Sequence, residues 1–280
     1  SSRNLIGKNN LIKIKEQFLV DNYFSLIKHF DDPVHDSNYF SLMALCSSIK
    51  KDSNIKVVLC GEGADEIFGG YERYKMFSRN NNISIEKLIY SYNQVAIPRL
   101  KLLTKDPVII SQKRYDIFQE VQSDDIFNTL LLYDQKTFLG SYLHRQDRVG
   151  MMFSLEIRTP YLDHNLVNFI NDIPSKHKYN SQYQKLILRL LGDKFVDHRI
   201  IWNQQKIAFS FPISNLFENG FLKILFEKSF KNGFLLENFY NIDGISVLLN
   251  EQSKGINHSN TLWRIICLEN WLRAMENNLK

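Results

Sequence analysis

The segment VVLCGEGADEIFGGYERY, residues 57–74, passes from an apolar, β-branched stretch into a glycine-rich turn that carries Glu62, Asp65 and Glu66. The stretch IKVVLC, Ile55–Cys60, suits a strand buried in a parallel sheet. In open α/β sheets ligands bind beyond the carboxyl ends of the strands, where loop backbone is free to meet them. A chain built around this segment is therefore expected to be α/β, with its chemistry at the end of that strand.

The flanking periodicities agree. LIKIK, Leu11–Lys15, alternates apolar and basic residues as a half-buried strand does. From Glu16 the period changes, and Leu19, Tyr23, Leu26, Ile27 and Phe30 mark an amphipathic helix stopped by Asp31-Asp32-Pro33. Ser37 is predicted to cap a second helix that buries Tyr39, Leu42, Met43, Cys46 and Ile49. After Tyr71 the strand signals mostly give way to predicted helices at about 84–95, 124–150, 163–171, 182–191, 213–231 and 258–277. The organisation expected is a sheet portion at residues 1–75 and a mostly helical portion at 76–280. Two strands cannot form a stable parallel core alone, so only part of a sheet is present.

At 280 residues and 44% hydrophobic composition the chain can bury a full core. Its formal charge of +5 is scattered, Lys50-Lys51 reads as solvated surface, and no nucleic-acid patch is expected. Cys46, Cys60 and Cys267 are odd in number and lack CxxC spacing, which argues against a disulfide framework or zinc site and favours a reducing cytoplasm. No apolar run approaches the roughly 18 to 20 residues of a membrane span, and no signal peptide opens the chain. The chain begins Ser1-Ser2-Arg3, without methionine, almost inside a domain element, so a further piece is expected upstream.

At the turn, Gly61 and Gly63 would permit unusual backbone and close approach by a ligand. Asp65 or Glu66 could hold a magnesium ion that bridges phosphates, and Glu62 could act as a base or orient a nucleophile. The plainer alternative is an acidic turn that complements the dipole of the next helix.

GEGADEIFGGY resembles the signature of the asparagine synthase family's ATP-using synthetase domain, and DRVGMMFSLEIRTPYLDHNLV, Asp147–Val167, resembles a second block of that family. HFDDPVHDSN, WNQQKIAFSFP and LWRIICLENWLRAM are similar to further family stretches in the same order, so the resemblance spans about residues 25–275. It implies a parallel sheet of the adenine-nucleotide alpha-hydrolase (PP-loop ATPase) type with a large helical portion, truncated at its N-terminal side. It also implies a two-step ligase reaction with ATP and Mg²⁺: a carboxylate, aspartate first of all, is adenylated with loss of pyrophosphate, and ammonia then displaces AMP. In the full protein that ammonia would come from glutamine, through a glutaminase domain outside this chain.

Carried over by position, Asp65 would bind Mg-pyrophosphate, with Gly61, Gly63 and Glu66 around the nucleotide. Glu62 would assist ammonia attack, Lys206 would offset phosphate charge, and Arg148 would stand close by, with Glu156 and Arg158 along the same wall. These roles suit a pentacovalent phosphorus, which concentrates negative charge. Each has an alternative. Arg148 with Asp147 could be a helix salt bridge, Glu156 with Arg158 a buried bracing pair, and Lys206 surface. His29 and His35 lack metal-ligand spacing, and Cys60 reads as a small buried residue where the family usually has serine.

The family's SGGxDS nucleotide loop and glutamine-splitting domain do not occur in these 280 residues. In the lysine loop, Lys206-Ile207-Ala208-Phe209-Ser210 lacks both usual glycines, which would stiffen it. This leaves open another carboxylate, such as a sugar acid or a substrate of lactam or macrolactam closure. A non-catalytic homologue serving as a binding subunit also stays open, as does the oligomeric state, a homodimer included. The GEGADE form favours asparagine.

Overall fold

The computed structural model describes residues 12–52, 54–74, 84, 101–104, 112–180, 182–203, 211, 213–218 and 220–278. In chain order the elements are α1 (Glu16–His29), α2 (Asn38–Asp52), β1 (Val57–Leu59), α3 (Ala64–Phe68), α4 (Gln112–Glu120), α5 (Ile126–Met152) and β2 (Glu156–Arg158). A 3₁₀ turn (Pro160–Leu162) leads to α6 (His164–Asp172), α7 (Ser175–Lys178), α8 (Leu186–Gly192) and α9 (His198–Ile201). Then follow α10 (Ser214–Glu218), α11 (Phe221–Lys231), α12 (Ile242–Ser253) and α13 (Ser259–Asn278). The fold is α/β, mostly helical, with a small parallel sheet.

The chain forms two compact units: described residues within 54–92 and 110–207 make one, and those within 12–53, 93–109 and 208–280 make the other.

In the first unit β1 and β2 are parallel, with Val57 opposite Glu156, Val58 opposite Ile157 and Leu59 opposite Arg158. Gly150 of α5 lets the helix approach the sheet, because a Cβ there would lie 2.7 Å from the Leu155 carbonyl and 3.0 Å from the Ile157 side chain. α5 runs 27 residues, about 40 Å at 1.5 Å per residue. Asp125 caps it, accepting from the Phe127 and Asn128 N–H groups at 2.9 and 3.3 Å. α3 packs against α5 and α6, and Ala64, Ile67, Phe68 and Ile170 form one buried cluster there.

The sheet differs from the expected buried one. Its outer face exposes Val57, 72% of Leu59, and the paired Glu156 and Arg158.

In the second unit α1 buries Leu19, Tyr23, Leu26 and Ile27, the predicted face. α13 packs on it: Asn270 donates to the Tyr23 hydroxyl at 3.2 Å, and Trp271 to the Phe30 carbonyl at 2.9 Å. Fully burying an aromatic or large aliphatic side chain is worth about 1.5–3 kcal/mol, and Tyr23 of α1, Phe40 of α2 and Trp263 of α13 are buried in mutual ring contact. Burial pushes the Tyr23 hydroxyl well above its ordinary pKa and keeps it neutral.

Several expected elements change. Ile12–Lys15 forms no strand; Lys15 is extended, but no ladder partner stands beside it among the described residues. Asp36, rather than Ser37, accepts from the Asn38 N–H at 3.1 Å, while the Ser37 hydroxyl donates to the Phe211 carbonyl at 3.0 Å. The helix expected from 182 starts at Leu186, because the Asn180 side chain takes the Gln182 and Tyr183 N–H groups into a turn. Left-handed Gly220, φ +82, divides the helix expected at 213–231 into α10 and α11. The helix expected at 84–95 lies, save Ser84, outside the described residues.

Candidate active site

The site grows from the carboxyl end of β1. Cys60 still bonds to the sheet, its N–H donating to the Arg158 carbonyl at 2.9 Å, and the chain then turns into α3. Gly63 makes that turn at φ +87, in a spot where a Cβ would stand 2.3 Å from Leu162 Cδ2. Only glycine takes both conditions without strain. The N–H groups of Gly69 and Gly70 close the other side on the Asp65 carbonyl, at 3.0 and 2.9 Å. At Gly61 a Cβ would meet nothing within 4 Å among the described residues, which leave that side open.

The three carboxylates diverge. Glu62 turns to α5, where its Oε2 accepts from Arg145 Nη2 at 3.1 Å and from Gln146 Nε2. Gln146 Oε1 in turn accepts from the Cys60 thiol at 2.8 Å. Burial is the main cause that holds this thiol above its ordinary pKa, so it remains a protonated donor. Asp65 Oδ1 pairs with Lys185 Nζ at 2.9 Å, and its side chain keeps 27% of its surface exposed. Glu66 turns inward and is buried, with its Oε1 accepting from the Tyr71 hydroxyl at 2.5 Å and its backbone carbonyl from Gln135 Nε2 at 3.3 Å. Burial raises the Glu66 pKa, and the charges of Asp65 and Glu62 add to that while the Tyr71 bond opposes it.

Arg148 is on α5, three positions past Arg145 and so near the same helix face; its Nε donates to His144 Nε2 at 3.4 Å. Glu156 and Arg158 pair at 2.8 Å in the open, correcting the expected buried brace. Lys206 lies outside the described residues. Among the described residues no group of three or more His, Cys, Asp or Glu is arranged to hold a metal ion. A magnesium ion carried with a polyphosphate needs only one or two carboxylates from the protein, and partly exposed Asp65 fits that donor set.

Sequence reading missed Arg145, Gln146 and Lys185. Arg145 and Gln146 immediately precede the DRVGMM stretch on a face of α5 that packs against β2, a faint signal. Lys185 carries none, because its reach depends on a left-handed backbone at φ +53.

The asparagine synthase family profile matches residues 3–273. The chain belongs to the asparagine synthase family. It is 27% identical over 254 residues to asparagine synthetase [glutamine-hydrolyzing] 1 of Bacillus subtilis, covering 76% of this chain and 40% of the relative. It is 24% identical to a putative asparagine synthetase [glutamine-hydrolyzing] of Mycobacterium tuberculosis, over 97% of this chain and 47% of that protein. It is also 24% identical to amidase chry2 of Gibberella zeae, over 72% of this chain and 39% of that one. The chain thus spans less than half the length of each of these relatives.

Proposed function

We propose that the protein to which this chain belongs forms a carboxamide from a carboxylate, ATP and ammonia, with aspartate as the first candidate and asparagine as product. The observation that carries this reading is the divergence of Glu62 and Asp65 at the end of β1, one held by amide and guanidinium donors, the other beside an ammonium group. ATP is a substrate here. The substrate carboxylate attacks its α-phosphorus and expels pyrophosphate, and ammonia then attacks the acyl carbon and releases AMP.

Asp65 would hold Mg²⁺, which supplies charge neutralisation to the departing pyrophosphate. Lys185 brings positive charge to the same side, as Lys206 would. Gly61 leaves room for phosphate approach, and Glu62 would receive a proton from ammonia. The inward-facing Glu66 orders the turn through Tyr71 more readily than it reaches a nucleotide. Arg148 would stand as a second cation along α5. A PP-loop sheet is supported by the parallel strand pair and the strand-end position of the site; with residues 1–75 as its sheet portion and 76–280 as its mostly helical portion, the latter lends β2 to the sheet. We assign glutamine-derived ammonia to a glutaminase domain outside these residues and the protein to the cytoplasm; the free Cys46, Cys60 and Cys267 fit a reducing compartment. No described helix is long and apolar enough to cross a membrane.

The altered loop Lys206–Ser210 favours one second reading, amidation of a different carboxylate on the same machinery. The test is carboxylate-dependent exchange of labelled pyrophosphate into ATP by the full-length protein. Exchange with aspartate is expected. Exchange with another acid and none with aspartate would move the assignment to that acid. No exchange with any carboxylate, and no Tm shift with magnesium pyrophosphate, would leave a binding subunit.

A further inference from the structure

Glu62 is held by one oxygen only. Arg145 and Gln146 both donate to Oε2, whereas Oε1 makes no hydrogen bond among the described residues. The side chain is 19% exposed. Arg145 and Gln146 are themselves buried on α5, and Arg145 rests on the Tyr142 ring, with its guanidinium carbon 4.9 Å from the centroid. A carboxamide can present either its oxygen or its nitrogen. At Gln146 the Cys60 thiol decides, because it donates to Oε1 and so turns Nε2 toward Glu62.

We propose that Gln146, set by Cys60 and assisted by Arg145, is a positioning residue that pins Glu62 Oε2 and reserves Oε1 as the oxygen that takes a proton from the incoming amine. This rests on the amide-forming reading above. In the step it serves, the ammonia lone pair forms the C–N bond. The acyl C–O bond to AMP breaks, its electron pair leaves on the AMP phosphate oxygen, and a proton from nitrogen passes to Oε1. Two donors on one oxygen draw charge toward it and fix the carboxylate plane, so the second oxygen has a defined direction. A misplacement of about 1 Å at a reacting group can cost ~100-fold in rate.

Because Gln146 acts in the amine step, its loss separates that step from adenylation. The test uses the full-length protein with two assays, carboxylate-dependent pyrophosphate exchange and single-turnover amide formation from ammonium. In Gln146→Leu the amide step should fall about 10- to 100-fold further than exchange. Cys60→Val should fall in the same direction, and Cys60→Ser, which keeps a donor for Gln146 Oε1, should recover most of that loss. Equal loss in both assays, or no loss in either, overturns the proposal, as does a Cys60→Ser variant that behaves like Cys60→Val. If Gln146→Leu does not fold, the contrast between the two Cys60 variants decides. Wild-type protein without exchange for any carboxylate overturns the underlying reading, a result distinct from selective loss in a variant.

Discussion

Lys185 reaches Asp65 from a strained backbone: its Nζ lies 2.9 Å from Asp65 Oδ1 while its φ is +53. A left-handed conformation at a non-glycine residue costs on the order of 1–3 kcal/mol, and a partly exposed ion pair returns about 1 kcal/mol at most. The arrangement is therefore better explained by the carboxylate it serves than by stability. Lys185→Gly should raise Tm or leave it unchanged, since glycine accepts that backbone freely, while pyrophosphate exchange falls at least about 10-fold. A parallel fall in Tm and exchange would mean that the pair is structural.

Gly70 tests the same pair from the other side. A Cβ there would stand 1.7 Å from Asp65 Oδ1 and 2.2 Å from Lys185 Cε. Asp65 Cγ would also lie only 2.7 Å away, so Gly70→Ala must swing the whole carboxylate off Lys185, at about 1–3 kcal/mol of stability. Exchange is expected to drop by more than the modest fall in the chemical-denaturation midpoint accounts for, and exchange that is unchanged while the midpoint falls would refute a role for the pair.

Lys178 gives a pH signature. It is buried against Asn128 Oδ1 at 2.9 Å and the Asn171 carbonyl at 3.5 Å, and burial lowers its pKa to about 8, while Asp125 and Asp172 pull it upward. The unfolded chain therefore binds more protons than the folded one between about pH 8 and the ordinary lysine pKa near 10.4, and stability rises with pH across that window. Below about pH 8 the cost of the buried ammonium is present in full. Lys178→Met lacks this term, so the stability difference between wild type and variant should shift in favour of wild type from pH 8 to 10, by on the order of 2 kcal/mol. Urea titrations of both proteins at each pH measure it, and a difference independent of pH would refute it.

What the sequence showed and what it hid divide by range. The helical face of Leu19, Tyr23, Leu26 and Ile27 was legible because it is a local period. Glu62 and Asp65 drew attention in the sequence because carboxylates follow a strand end among glycines, and the resemblance of GEGADEIFGGY gave them their proposed roles. The donors to Glu62 come from 83 and 84 positions away, and no local pattern announces such a meeting. Ser37 and Asp36 are both capable of capping α2, and the choice fell to Asp36 once the Phe211 carbonyl took the serine hydroxyl. Ile12–Lys15 shows the converse: an alternating pattern favours extended backbone but cannot supply a neighbouring strand.

Glu269 is the buried charge on which the second unit depends. Its carboxylate accepts from the N–H groups of Leu235 and Leu236 at 3.1 and 3.2 Å and pairs with Arg273 at 2.6 Å, while its side chain is fully buried. Removing it strands two backbone donors and takes the carboxylate from Arg273, which keeps the Ser229 and Gly233 carbonyls as acceptors. Glu269→Ala should cost about 3–5 kcal/mol, and Glu269→Gln less, because an amide oxygen can still accept. Equal, small losses in chemical denaturation would show that water replaces the carboxylate.

The bare face of β1 and β2 gives a prediction that depends on what lies against it. Parallel sheets are normally covered on both faces, yet Leu59 is 72% exposed in this chain. In the isolated 280-residue chain, Leu59→Lys should change stability by no more than about 0.5 kcal/mol. In the full-length protein the same substitution is expected to cost about 2 kcal/mol or more if further structure buries that face, because a charge would then be left unpaired in an apolar contact. Paired denaturation of the two lengths, wild type against variant, measures the difference. An equal and small effect at both lengths would mean that the face stays open to solvent, and the strand pair would then owe its stability to the α5 side alone, through Val58, Ile157 and the close approach at Gly150.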